Sequence, residues 1–157
     1  MSEELPIKEQ KVDIRNLTNI LYLNNEQRQL LSDQLVVNQG SARVIMHLFN
    51  NSYSDEDYQD KTIPVLEKSI RMHTPIIFGI REFEDIDLAD FFNEHFGYLP
   101  ENIYYYRTIS DDSMPYFHGC TNSMLNCEIE YQYAMAWRVF ADILKSLGVK
   151  KLVFSGI

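Results

Sequence analysis

The stretch TPIIFGI, residues 74 to 80, is a mostly apolar run of strand length. A strand that is apolar on both of its faces is typical of a parallel sheet covered by helices on both sides. Three further runs have a similar character: ARVIMHLF (42 to 49), NIYYYRTI (102 to 109) and VKKLVFSG (149 to 156). A weaker period-two pattern in KVDIRNL (11 to 17), which ILYL (20 to 23) could extend or replace, predicts one more strand.

Helical patterns alternate with these strands, over residues 24 to 37, 62 to 72, 87 to 96 and about 122 to 147. Asn24 is a suitable N-cap with Gln27 three residues later, and Pro64 fits a first helical turn. Gly97 and Gly148 are suitable stops for the last two helices. The alternation predicts a three-layer α/β/α sandwich with a mainly parallel sheet of about five strands, joined by right-handed crossovers.

The composition indicates one compact domain. The chain has 157 residues, of which 45% are hydrophobic and 24% charged, and this balance is ordinary for a globular protein. Residues 1 to 10 are polar and lack apolar anchors, so we expect a flexible N-terminus followed by a single α/β domain over 11 to 157.

The charge and the cysteine content limit the partners and the compartment. A net charge of −9 disfavours binding to nucleic acid, which requires clustered basic residues. No run approaches the roughly 18 apolar residues of a membrane span, and we expect no membrane partner. Only two cysteines are present, Cys120 and Cys127, which favours the reducing cytoplasm. Motifs for dinucleotides, P-loop phosphates and metals are absent, so the sequence predicts no metal site and names no cofactor.

The fold prediction indicates where a site would lie. In an open parallel sheet, ligands bind beyond the carboxyl ends of the strands. Four segments follow such ends: 50 to 61, 81 to 86, 110 to 121 and 155 to 157.

The third of these segments carries most of the titratable side chains. Asp111 and Asp112 could act as bases, or serve only as turn residues. His118 is of a residue type that titrates near neutral pH, although the sequence favours a half-buried structural histidine. Cys120 precedes a helix, where a thiolate is stabilised, but a free cysteine is also a small buried hydrophobe.

Glu130 interrupts the apolar side of the helix over 122 to 147. A carboxylate there either has a partner, such as Arg81 or Arg107, or acquires a raised pKa and lines a pocket. We therefore predict Glu130 as a catalytic or anchoring group. Arg81, which could hold an anion, and Asn122 and Asn126 at the start of the helix are the predicted ligand-binding residues.

Two functional hypotheses follow. The first is a soluble module that binds a protein partner or a small ligand in a regulatory or inhibitory role. Because the helix over 122 to 147 is apolar beyond one face, it could also form a homodimer interface. The alternative is a hydrolase or transferase acting on a small molecule, with its site around residues 111 to 130.

Overall fold

The computed structural model of the chain describes residues 11–46, 48, 56, 58–80, 84–107 and 140–156. The strands are β1 (Ser41–Met46), β2 (Ile76–Ile80), β3 (Ile103–Arg107) and β4 (Lys151–Gly156). The helices are α1 (Asn25–Val37), α2 (Ile63–Arg71), α3 (Glu84–His95) and the described part of a fourth, α4 (140–146). The predicted α/β class is confirmed.

The four strands form one parallel sheet in the order β3-β2-β1-β4. β2 and β1 are its central strands, and all five residues of β2 are buried. The apolar run TPIIFGI therefore contains the strand that needs cover on both faces. The described part of the chain contains four strands, against about five predicted.

The prediction of a strand over residues 11 to 17 is wrong. Residues Ile14–Asn16 form a short 3-10 helix, in which the Asp13 carboxylate accepts a hydrogen bond from the Arg15 backbone N–H. The chain reaches the sheet only at Asn19, which forms a single parallel bridge to Tyr105. Two backbone hydrogen bonds of 2.9 Å hold this bridge, from the Ile20 N–H to the Tyr105 carbonyl and from the Tyr105 N–H to the Thr18 carbonyl.

The helix ends follow their sequence signals. Asn24 and Gln27 form the predicted capping box of α1, and Pro64 lies in the first turn of α2. Gly97 and Gly148 follow α3 and α4 with φ values of 77° and 98°, as residues that end helices often do. Two boundaries differ from prediction: α3 begins at Glu84, and a π-helical turn, Tyr58–Thr62, occupies the end of the predicted loop before α2.

Apolar side chains form two clusters, one on each face of the sheet. The first cluster joins α1 and α4 to the sheet through Leu31, Leu35, Val44, Ile77, Tyr104, Tyr106, Phe140 and Leu144. The second joins α2 and α3 through Ile45, Leu66, Ile76, Phe78, Ile80, Leu88 and Phe92. Tyr104 and Tyr106 thus face one side and Tyr105 the other, as the alternation in the sequence predicts.

Two asparagines join the elements at the amino ends of the strands. The Asn38 side chain donates to the carbonyls of Gln34, Met72 and His73 at 2.8, 3.2 and 3.0 Å, and accepts from Thr74 Oγ1 at 2.7 Å. The buried Asn102 donates to the Thr74 carbonyl at 2.6 Å. The Asn38 bonds fix the end of α1, and the Asn102 bond fixes the start of β3, to the turn between α2 and β2.

Among the described helices, none has both the length and the hydropathy that crossing a membrane requires.

A buried hydrogen bond crosses the first cluster, and its removal tests the packing there. The Tyr104 hydroxyl donates to Gln34 Oε1 at 2.9 Å, and Tyr104 is 2% exposed. We expect Tyr104→Phe to lower the free energy of unfolding by about 1–2 kcal/mol, because the buried amide oxygen loses its donor. Urea unfolding measures this change. Tyr105→Phe, on the opposite face, is the matched control and should change stability by less than about 0.5 kcal/mol.

The same hydroxyl predicts a loss of stability in alkaline solution. Burial raises the pKa of Tyr104 from 10.0 to about 12. Above pH 10 the unfolded chain therefore loses the proton while the folded chain keeps it, so stability falls as the pH rises from about 10 to about 12. Urea unfolding across this range should show a shallower fall in Tyr104→Phe. Equal slopes in the two proteins would contradict the assignment.

Candidate functional site

The carboxyl ends of the four strands meet at one edge of the sheet. Met46 at the end of β1 pairs with Gly79 of β2 and with Gly156 of β4. Gly79 in turn pairs with Tyr106 of β3. One row of paired residues therefore crosses the whole sheet just inside this edge, and we call it the carboxyl row (Tyr106, Gly79, Met46 and Gly156).

The strand order places a switch point between β1 and β4. The chain moves from β1 to β2 to β3 in one direction across the sheet, and then returns to the far side of β1 as β4. α2 and α3 cover one face and the described part of α4 the other. When the chain reverses its direction across the sheet and its connecting helix also changes face, the crossover connections all keep the same right-handed sense. In open α/β sheets, ligands commonly bind beyond the carboxyl ends of the strands at such a switch point.

Two glycines flank the last residue of β1 at this edge. Gly79 is buried within the apolar run of β2, and Gly156 ends β4. A glycine in a strand often marks a position where a ligand or another backbone approaches closely. On the β3 side the row is closed by the ring of Tyr106, which is 5% exposed and has its centroid 4.4 Å from that of Phe140 in α4. Burial raises the pKa of the Tyr106 hydroxyl.

The first turn of the helix that follows β2 is acidic. α3 begins four residues after the end of β2 and carries Glu84, Asp85 and Asp87 in its first turn. Partial burial, with the neighbouring charges of Glu84, Asp90 and Asp85, raises the pKa of Asp87. Acidic side chains suit a helix N-terminus, where they interact with the exposed N–H groups. The same carboxylates oppose a phosphate at this end of α3.

The predicted site residues lie outside the described part of the chain. This holds for the catalytic candidates Glu130, Asp111, Asp112, His118 and Cys120, and for the ligand-binding candidates Arg81, Asn122 and Asn126. Their roles stay predictions. The backbone of Arg107, the proposed partner of Glu130, ends β3 at the carboxyl edge.

Gly79 and Gly156 were not among the predicted site residues, although the sequence carries a signal for Gly79. A glycine inside an apolar strand run is unusual, and such a residue indicates close approach of another group. The two positions are far apart in the chain, so only the register shows that they flank the same residue.

The described side chains outside this edge offer no competing metal site. Within the described ranges, no group of three or more His, Cys, Asp or Glu residues could hold a metal ion. Comparisons of the chain with protein-family models, with curated proteins and with solved structures give no match. The geometry of the carboxyl row is therefore the basis for assigning a function.

Proposed function

We propose that this chain is a binding module that takes a small ligand at the carboxyl edge of its sheet, between β1 and β4, in a regulatory or inhibitory role. The observation that most supports this proposal is that the switch point lies where two glycines, Gly79 and Gly156, flank Met46. A switch point supplies a crevice, and the glycines let a ligand approach the strand backbone. Either feature alone is common in α/β proteins.

The first turn of α3 favours an uncharged or cationic ligand over an anionic one. The first turn of α3 carries three carboxylates, and no basic residue lies among Glu84, Asp85, Ile86 and Asp87. An incoming phosphate or carboxylate would meet like charges at short range, where the protein interior screens them less than water does. A nucleobase, an amide or an amine meets no such opposition.

The proposal also includes the layer arrangement, the cellular location and the oligomeric state. Helices against both faces and the Asn19 bridge beside β3 support a three-layer sandwich with five strand positions. The low cysteine content supports a cytoplasmic location, and the apolar helix over 122 to 147 supports a homodimer.

A matched ligand pair tests the proposal. Adenosine and adenosine monophosphate differ only in the phosphate, and nicotinamide and agmatine add a neutral amide and a cation. We expect at least one uncharged or cationic member to shift the amide NMR signals of Met46, Gly79 and Gly156. We expect adenosine monophosphate to bind at least roughly tenfold more weakly than adenosine if adenosine binds. Absence of shifts at these amides for all four compounds would contradict the proposal.

Alanine at the glycines separates binding from stability. Gly156→Ala adds one methyl group in a strand, where glycine is about 0.5–1 kcal/mol less favourable than alanine. We expect this variant to melt at or above the wild-type temperature while its affinity for the ligand identified by NMR falls. Ser41→Ala, at the other end of β1, is the control and should keep full affinity. Equal affinity in both variants would show that the ligand does not approach Gly156.

A further inference from the structure

A groove with a volume of 480 Å³ lies at the opposite end of the sheet, between α4 and the start of β4. Its walls come from the last turns of α4, the turn that follows and the first residues of β4. The lining residues are Ala141, Leu144, Lys145, Gly148, Val149, Lys150, Lys151 and Leu152. The groove is separate from the carboxyl row, because β4 starts at this end and finishes at the other.

Small residues along one side of α4 account for the depression. Ala141 and Lys145 are four residues apart, so they lie on the same side of α4, and Gly148 lies in the turn that follows the helix. Alanine and glycine leave the space between the helix and β4 unfilled. Leu144 and Val149 are 1% and 7% exposed and belong to the first apolar cluster. The groove therefore has an apolar floor that is part of the core.

Three lysines surround this floor. Lys145, Lys150 and Lys151 are all exposed, in a chain with 14 basic and 23 acidic residues. In the part of the chain that the structure describes, none of their ammonium groups forms a salt bridge. The groove is thus a local patch of positive charge on a strongly acidic protein.

β4 is an edge strand of the described sheet. It pairs with β1 on one side only, over Ser41 to Met46. An edge strand presents backbone N–H and C=O groups that another extended chain can use. A free phosphate or a nucleic acid could use the lysines, but only a peptide backbone uses a strand edge as well.

We propose that the groove and the outer edge of β4 form a docking site for an acidic, extended peptide segment of a partner protein. The segment adds as a strand beside β4, its apolar side chains enter the groove, and its carboxylates meet the three lysines. This mode of recognition combines backbone hydrogen bonds with alternate side-chain pockets. Charge complementarity identifies the occupant, because the patch attracts acidic chains while the rest of the protein repels them.

Fluorescence anisotropy with a labelled peptide tests the docking site. The probe is fluorescein-EVELEVE, in which acidic and apolar side chains alternate, and KVKLKVK and EGEGEGE are the comparison peptides. We expect EVELEVE to bind, and KVKLKVK and EGEGEGE to bind at least roughly tenfold more weakly, because they lack the charge and the apolar contacts respectively. The binding should weaken with salt, since added ions screen exposed charges.

Matched variants identify the surface. Lys145→Gln, Lys150→Gln and Lys151→Gln together should weaken EVELEVE binding roughly tenfold. The control combines Lys11→Gln, Lys68→Gln and Arg71→Gln, which makes the same change in net charge at exposed positions elsewhere. It should leave the affinity within about twofold. Ala141→Leu fills the groove at an exposed helical position with another good helix former, so it should block binding without unfolding the protein.

Hydrogen exchange locates the bound strand. Bound EVELEVE should slow exchange of backbone amides in Lys151–Gly156, and the Ala141→Leu variant should lose this protection. Three results would each overturn the proposal: no EVELEVE binding at millimolar concentration, equal affinity in the two triple variants, or protection confined to other elements. In the second case the lysines act only through general attraction.

Discussion

The complete burial of β2 is the constraint on which the rest of this structure depends. Its edges are hydrogen bonded to β1 and β3, and its faces are covered by helices from both clusters. Each buried backbone group must have a partner, which parallel neighbours supply, and each apolar side chain must leave water. A strand enclosed in this way offers no surface for chemistry along its length. Recognition is therefore confined to the ends and the outer edges of the sheet.

This constraint explains why much of the fold could be predicted from the sequence. The apolar run of β2 requires cover on two faces, and the alternation of helical and strand patterns supplies it. Local chemistry then gives several helix boundaries, as Asn24 with Gln27 does for α1. These predictions do not require knowing which strands pair with each other. They agree with the structure because each local preference agrees with the final fold.

The strand predicted over residues 11 to 17 is wrong because local hydrogen bonds compete there with pairing in the sheet. Val12 and Ile14 suggest a period of two, but the Asp13 and Asn16 side chains bond to nearby backbone groups. Such bonds stabilise a turn where the apolar pattern alone favours a strand. Val12 is buried against α3 instead, where its backbone exchanges two hydrogen bonds with the side chain of Asn93.

The candidate site was less accessible to sequence reasoning than the fold. Titratable residues attract attention because they carry functional groups, and those chosen here lie outside the described residues. Gly79 and Gly156 carry no functional group, and their significance comes from sharing Met46 as a neighbour. Register is a property of the folded sheet, so a single sequence does not reveal it.

Helix direction connects the two proposed sites. Among the described helices, α3 begins near the carboxyl edge of the sheet, and α2, α3 and the described part of α4 all end near the amino edge. Acidic side chains stabilise the first turn of α3, and Lys145 lies in the last turn of α4, where a cation is favourable. The same interactions that stabilise these helices therefore place negative charge at one edge and positive charge at the other. A small ligand without negative charge and an acidic peptide would consequently select opposite ends of the sheet. The strands β1 and β4 connect the two ends of the sheet. Their six residue pairs run from the groove to the carboxyl row. If both ligands bind, this hydrogen-bonded strand pair is a direct structural connection through which one could alter the affinity of the other.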